Sequence, residues 1–207
     1  MPFQVKRIAV VDLESTSSTH SLFRGKGRVV QYGMVILDVR NMEVLTYREC
    51  LVNPSIDDPL VFENADPDSM AIHGIPVQKL IEKGLRPSTA LEYMFGDQDW
   101  SQTCFASWGS FDFEMIRGEY TLSKRHRAPM KWRTLDIRSV CGGRSLSSVE
   151  KGTWSYMSSG EYMREYVNVG LKLKELDQIR QGLNQHDALY DAATVAMCLI
   201  HTTERSW

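Results

Sequence analysis

The chain has 207 residues and a formal net charge of -2, and 43% of its residues are hydrophobic. This composition is typical of an ordinary soluble globular protein, and the length allows one large domain with a full core or two small ones. The low net charge does not exclude nucleic-acid binding, because a basic pole and an acidic metal site cancel in the total.

Membrane insertion, secretion and a disulfide framework are all disfavoured. No apolar run approaches the ~18 residues of a membrane-spanning helix, and the N-terminus lacks the apolar region of a signal peptide. The four cysteines are scattered, with no C-x-x-C pair and no histidine at zinc-ligand spacing. We therefore expect a cytoplasmic protein with reduced core thiols.

The first predicted element is a strand in the stretch Arg7–Thr16, where four consecutive apolar residues indicate burial on both faces. Two more strands are predicted over Val29–Leu37 and Glu43–Val52, and the short turn between them makes the pair antiparallel. Two short helices are predicted next, around Asp66–Ile72 and Pro76–Lys83.

The second half of the chain predicts alternating helices and strands. Pro87 begins a helix, Thr103–Trp108 is typical of a strand, and Phe113–Leu122 is predicted to be helical. A fifth strand is predicted over Met130–Ile137, and small residues in Asp187–His201 indicate a helix packed closely on a sheet. Together these elements predict an α/β fold, a mixed five-stranded sheet with helices on both faces.

Asp12 and Glu14 end the first strand on one side of its pleat, about 6–7 Å apart. Two carboxylates at this spacing repel each other unless a divalent cation such as Mg²⁺ or Mn²⁺ lies between them. The alternative is a strand that runs into a solvated acidic turn, with Ser15 and Thr16 capping the next element. From this stretch alone the two interpretations are equally good.

Three motifs resemble those of the DEDDh family of 3′-to-5′ exonucleases. The first is Val10-Val-Asp-Leu-Glu-Ser-Thr16, the second is Ser107-Trp-Gly-Ser-Phe-Asp112, and the third is His186-Asp-Ala-Leu-Tyr-Asp191. Asp112 alone would be read as a helix N-cap, but the three motifs occur in the family's order. The second motif is similar to that of the exoribonuclease branch, which trims histone mRNA and small RNAs. Shorter matches, such as Gln31-Tyr-Gly33, support the resemblance.

The resemblance implies a ribonuclease H-like fold and hydrolysis of phosphodiester bonds with two divalent cations, Mg²⁺ or Mn²⁺. It implies that Asp12 contacts both cations, that Glu14 and Asp191 complete one site, and that Asp112 holds the other. It also implies that His186 is the general base that activates the attacking water. Asp187 and Glu114 lie near these positions and are predicted to be structural, with Asp187 as the N-cap of the last helix.

Substrate contacts are predicted at two further places. By the family resemblance, Ser15 and Thr16 would contact the terminal sugar, and His73 would position the terminal nucleotide or be an ordinary loop histidine. A basic segment offers a path for the phosphate backbone or a solvated helix end, and it contains Lys124, Arg125 and Arg127.

The predicted function is removal of nucleoside 5′-monophosphates from the 3′ end of single-stranded nucleic acid, with RNA slightly favoured over DNA. The alternative is an adaptor domain of the same fold that binds nucleic acid or a protein partner with little catalysis. We expect residues 1–207 to form a single domain. The aromatic-rich segment at about 150–168 could select substrate, mediate homodimer formation or be a surface insertion.

Overall fold

A computed structural model describes residues 5–17, 27–96, 100–123, 133–144, 158–167 and 173–204. Within these ranges the strands are β1 (Arg7–Ser15), β2 (Val29–Asp38), β3 (Val44–Leu51), β4 (Thr103–Ser107) and β5 (Thr134–Asp136). A 3-10 helix spans Pro54–Ile56. The α-helices of the same ranges are α1 (Pro67–His73), α2 (Val77–Lys83), α3 (Pro87–Phe95), α4 (Phe111–Leu122), α5 (Ile137–Arg144), α6 (Ser159–Tyr166), α7 (Lys174–Arg180) and α8 (Ala188–Glu204).

The strands form one mixed sheet in the order β3-β2-β1-β4-β5. β2 pairs antiparallel with both β1 and β3, whereas β4 pairs parallel with β1 and β5. This arrangement confirms the mixed five-stranded sheet predicted from the sequence. Because β1 and β4 are parallel, their carboxyl ends meet at the same edge of the sheet, where ligands commonly bind in α/β folds.

Helices cover both faces of the sheet, and β1 contributes alternate residues to the two hydrophobic cores. Ala9, Val11 and Leu13 pack with residues of α3 and α4, while Val10 packs with residues of α8. Since side chains alternate along a strand, Asp12 and Glu14 lie on the same face of β1 as Val10. The strand pattern therefore directs both carboxylates toward the α8 side.

Several helix boundaries follow from capping. Asp66 accepts a hydrogen bond from the Asp68 N–H at 3.1 Å, with Pro67 at the first position of α1. Gly74 caps the C-terminal end of α1, and its φ of 62° lies in the left-handed region that glycine adopts without strain. Ser158 and Glu161 form a reciprocal capping box at the start of α6.

Several predicted boundaries differ from the structure, and two of the differences concern the start of a helix. Helix α4 begins at Phe111 and not at Phe113, so Asp112 lies inside its first turn. The fifth strand ends at Asp136, because its carboxylate accepts hydrogen bonds from the Ser139 N–H at 3.3 Å and hydroxyl at 2.6 Å and so begins α5 at Ile137. Helices α5, α6 and α7 were not predicted. In the described ranges, no helix is both long and apolar enough to cross a membrane.

Candidate metal and nucleic-acid site

The acidic residues of β1 lie beyond the part of this strand that pairs with β4. The pairing of these two strands ends at Val10 and Ala106, and Asp12 and Glu14 follow on the same face as Val10. On the other side of β1, the register places Asp12 opposite Gly33 of β2. Both carboxylates therefore project at the sheet edge where the parallel strands end.

Asp112 reaches this edge through the turn between β4 and α4. Gly109 has a φ of 106°, a conformation that a residue with a side chain rarely adopts, and its carbonyl accepts the Ser107 hydroxyl at 2.6 Å. The chain then enters α4, and Asp112 is buried in its first turn, with 5% of its surface exposed. A hydrogen bond from the Leu13 backbone to Asp112 ties this turn to β1.

His186 and Asp191 arrive from the N-terminal end of α8. Nδ1 of His186 lies 3.8 Å from Oδ2 of Asp191, with the histidine side chain 46% exposed and the aspartate 17% exposed. Ligand atoms of Glu14, His186 and Asp191 all lie within 4.8 Å of one another. The first turn of α8 and the end of β1 therefore share one site.

The start of α8 packs closely on β2, which brings it near the end of β1. A Cβ atom on Gly33 would lie 2.2 Å from the carbonyl carbon of Ala188 and 2.3 Å from the Leu189 nitrogen. Such distances are far below van der Waals contact, so a side chain at this position would push the helix start away. Gly33 therefore brings the helix that carries Asp191 toward the strand that carries Asp12.

Asp12, Glu14, Asp112 and Asp191, hereafter the acidic cluster, destabilise one another's charged forms. Burial, followed by repulsion from Asp112, Asp191 and Glu14, raises the pKa of Asp12 well above its ordinary value. Burial and repulsion from Asp191 and Asp112 raise the pKa of Glu14 from 4.5 to about 8.

The two carboxyls of the acidic cluster that lie on helices, Asp112 and Asp191, also have raised pKa values. Burial raises the pKa of Asp112 to about 7, against hydrogen bonds from its own and the Leu13 backbone and from Ser107 that lower it. Burial also raises the pKa of Asp191, while His186 lowers it. Such a set of oxygen ligands either holds protons or binds hard divalent cations, and its chemistry fits Mg²⁺ or Mn²⁺.

Asp187 is the N-cap of α8, as predicted. Its Oδ1 accepts the Leu189 N–H at 3.0 Å and its backbone carbonyl accepts the Asp191 N–H at 3.0 Å. Its Oδ2 accepts Nε2 of Gln31 at 3.0 Å. Each carboxylate oxygen of Asp187 therefore accepts a hydrogen bond from the protein, whereas Asp191 faces Glu14 and His186.

Ser15 and Thr16, the residues predicted to contact the terminal sugar, are 6% and 2% exposed. The Ser15 hydroxyl donates to the Ser17 carbonyl at 2.8 Å, and the Thr16 hydroxyl accepts the Arg28 N–H at 3.0 Å. These hydroxyls are thus already bonded within the protein.

His73 lies near His186, which lowers the pKa of His73 in addition to the larger lowering by burial. Nδ1 of His73 accepts the Ile75 N–H at 3.0 Å, so Nε2 carries the proton of the neutral ring. Within the described ranges, this buried Nε2 has no hydrogen-bond partner. The other residues that were predicted to contact the substrate lie outside the described residues. They are Lys124, Arg125 and Arg127.

Two supporting features were missed from the sequence. Arg28 follows a Ser- and Gly-rich stretch of the kind that is usually an exposed loop, yet it forms a buried two-pronged ion pair with Glu119 of α4 at 2.8 and 3.2 Å. Gln31 is 5% exposed in a strand that is otherwise apolar around it. A polar side chain within a buried strand needs a hydrogen-bond partner, and that was the available signal for Gln31.

No protein-family model and no curated protein sequence matches the chain. Solved structures do match in fold. The nuclease domain of 3′hExo, a DEDDh family member bound to rAMP, has a TM-score of 0.67 at 15% identity, covering 98% of this chain and 94% of that one. Cell-death related nuclease 4 (CRN-4) has a TM-score of 0.64 at 13% identity, with 98% and 65% covered.

The zinc-bound complex of E. coli ExoI with single-stranded DNA has a TM-score of 0.63 at 18% identity. The match covers 98% of this chain but 41% of ExoI, so the chain spans about two fifths of that protein. Together with the sheet order, these matches confirm the ribonuclease H-like fold that was predicted.

Proposed function

We propose that this chain is a metal-dependent 3′-to-5′ exonuclease of the DEDDh family. The observation that carries the proposal is that Asp12, Glu14, Asp112, His186 and Asp191 meet at one sheet edge. These residues come from three distant parts of the chain, and the fold alone does not require acidic side chains there.

The roles of the acidic cluster follow from its electrostatics. Divalent cations bound by such carboxylates neutralise charge on the substrate phosphate and activate water for hydrolysis. Asp12 would serve both cation sites, with Glu14 and Asp191 at one and Asp112 at the other. The raised pKa values of Glu14 and Asp112 support this assignment, because bound cations would replace the protons that these carboxyls otherwise retain.

His186 is the proposed general base. Its imidazole is 46% exposed beside Asp191, so it can accept a proton at the site edge and release it to solvent. Oδ2 of Asp191 lies 3.8 Å from its Nδ1. The exposed position suits a base that must contact an incoming water.

The proposed substrate is the 3′ end of single-stranded nucleic acid. The named ligands of two structural neighbours, rAMP on 3′hExo and single-stranded DNA on ExoI, support this substrate class. We favour RNA because the second motif is similar to that of the exoribonuclease branch. His73, which lies near His186, is the residue proposed to position the terminal nucleotide, a contact that requires its buried Nε2 to become accessible.

The test uses a single-stranded RNA and a DNA of the same sequence, labelled at the 5′ end, and circular forms of each. With Mn²⁺, a ladder that shortens from the 3′ end and intact circles are expected, and EDTA should stop the reaction. Cleaved circles would make the protein an endonuclease. Binding without cleavage in Mn²⁺ or Mg²⁺ would favour the adaptor alternative and refute the proposal.

A further inference from the structure

Gln31 lies beside the acidic cluster without belonging to it. In the register of β1 and β2 it is opposite Glu14, and directly opposed residues of an antiparallel pair share a face. Gly33, two residues along the same strand, faces Ala188 of α8. Gln31 therefore points to the N-terminal end of that helix, from within a buried part of the sheet.

Both polar atoms of the Gln31 side chain are used there. Nε2 donates to Oδ2 of Asp187 at 3.0 Å, and Oε1 accepts the Ala188 N–H at 3.3 Å. The N–H groups in the first turn of a helix have no partner within the helix. Gln31 satisfies one of them directly, and it orients Asp187, which satisfies that of Leu189.

These contacts bear on two residues of the site that are close to Asp187 in the chain. His186 directly precedes Asp187 and has a φ of 65°, a conformation that is uncommon for a residue with a side chain. Asp191 lies one helical turn after Asp187 and donates its N–H to the Asp187 carbonyl at 3.0 Å. A shift of Asp187 would therefore move a proposed general base and a proposed cation ligand together.

The same contacts distinguish two nearby carboxylates, those of Asp187 and Asp191. Hydrogen bonds from Gln31 and Leu189 to the two oxygens of Asp187 orient this carboxylate toward Gln31 and the helix start. Asp191 makes no such contact with Gln31 and lies within ligand distance of Glu14. The amide of Gln31 thus favours one aspartate over another four residues away.

We infer that Gln31 is a positioning residue that fixes the start of α8 and directs cation binding to Asp191 and not to Asp187. The inference rests on the proposed function, since it concerns the same cation site. Groups that orient metal ligands without touching the metal commonly change metal affinity by ~10–100-fold when they are removed.

The test measures the Kd for Mn²⁺ by calorimetry on four full-length variants, beside thermal melting in EDTA. Gln31→Ala should weaken Mn²⁺ binding by about 10–100-fold. Gln31→Glu should weaken it further, because the introduced carboxylate would face Oδ2 of Asp187. The double variant Gln31→Glu/Asp187→Asn reverses the direction of the hydrogen bond at unchanged total charge, and it should recover most of the wild-type affinity. An asparagine caps a helix as well as an aspartate does.

Thr202→Ala is the control for a loss of stability alone. Thr202 is buried near the other end of α8, where its hydroxyl donates to the Cys198 carbonyl at 2.7 Å. This variant should melt at a lower temperature and bind Mn²⁺ as the wild type does.

A wild-type Mn²⁺ affinity in Gln31→Ala would overturn the inference while leaving the proposed function intact. Failure of the double variant to improve on Gln31→Glu would also overturn it. Absence of Mn²⁺ binding by the wild type would instead refute the proposed function, and the inference with it.

Discussion

In metal-free buffer the protein should become less stable as the pH rises from about 5 to 8, which is opposite to ordinary acid denaturation. The pKa of Glu14 is raised from 4.5 to about 8 by burial and by repulsion from Asp191 and Asp112. Between these two values the folded protein retains a proton that the unfolded chain releases. The free energy of unfolding therefore falls with pH across this range, and its contribution is fully lost above about pH 8.

The magnitude follows from the size of this change. At about 1.4 kcal/mol for each pH unit, the full difference for Glu14 corresponds to roughly 5 kcal/mol. Glu14 is partly exposed, so water screens its interactions, and we expect a little less than half of this value. A loss of about 2 kcal/mol from this one carboxyl is large against a total stability of ~5–15 kcal/mol.

The assay is urea denaturation in EDTA at several pH values from 5 to 8, with the wild type, Glu14→Gln and Glu175→Gln. Glu175 is exposed on α7 and serves as the control for loss of a carboxylate. Glu14→Gln should match the wild type near pH 5 and exceed its stability by about 2 kcal/mol at pH 8. Saturating Mn²⁺ should reverse the order at pH 8, since cations bind the folded cluster. If Glu14→Gln and wild type have parallel pH profiles in EDTA, the repulsion described here is absent.

Three other substitutions test, in turn, the repulsion between the carboxyls, the general base and the packing of α8 on β2. Asp12→Ala should abolish cleavage and raise the Tm in EDTA, because it removes a carboxyl that repels its neighbours; retained activity would contradict the two-cation proposal. His186→Asn, whose side chain tolerates the φ of 65°, should lower the rate by ~10²–10⁴-fold with little change in the Kd for Mn²⁺; loss of Mn²⁺ binding would make His186 a ligand. Gly33→Ala should cost about 3 kcal/mol of stability and weaken Mn²⁺ binding, because the added methyl group meets the backbone of Ala188; unchanged denaturation and Mn²⁺ titration curves would contradict this.

The elements around the acidic cluster were predictable because their signals are local. The apolar run before Asp12 is of a kind that indicates a buried strand in any sequence. Asp12 and Glu14 are two residues apart, so they lie on one face of that strand. Likewise Asp187, directly before a run of small residues, indicates a helix N-cap, and it is one. Motif resemblance then supplied Asp112 and His186, which no local rule brings to β1.

The supporting contacts were not predictable in this way, because they depend on packing between distant segments. Arg28 and Glu119 are 91 residues apart, and an arginine beside a Ser- and Gly-rich stretch is usually exposed. Gln31 and Asp187 are 156 residues apart, and their pairing is set by the placement of α8 on β2. The space that Gly33 leaves is visible only once the first turn of α8 is placed against it.

An amide suits the position of Gln31 for an electrostatic reason. The acidic cluster needs positive charge, and a lysine or arginine reaching the start of α8 could supply it in place of a cation. Such a side chain would stabilise the metal-free protein and compete with metal binding. The amide of Gln31 instead donates to Asp187 and accepts from Ala188 without adding charge. It therefore holds the helix start in place while leaving the electrostatic demand of the cluster to the cations that the proposed chemistry requires.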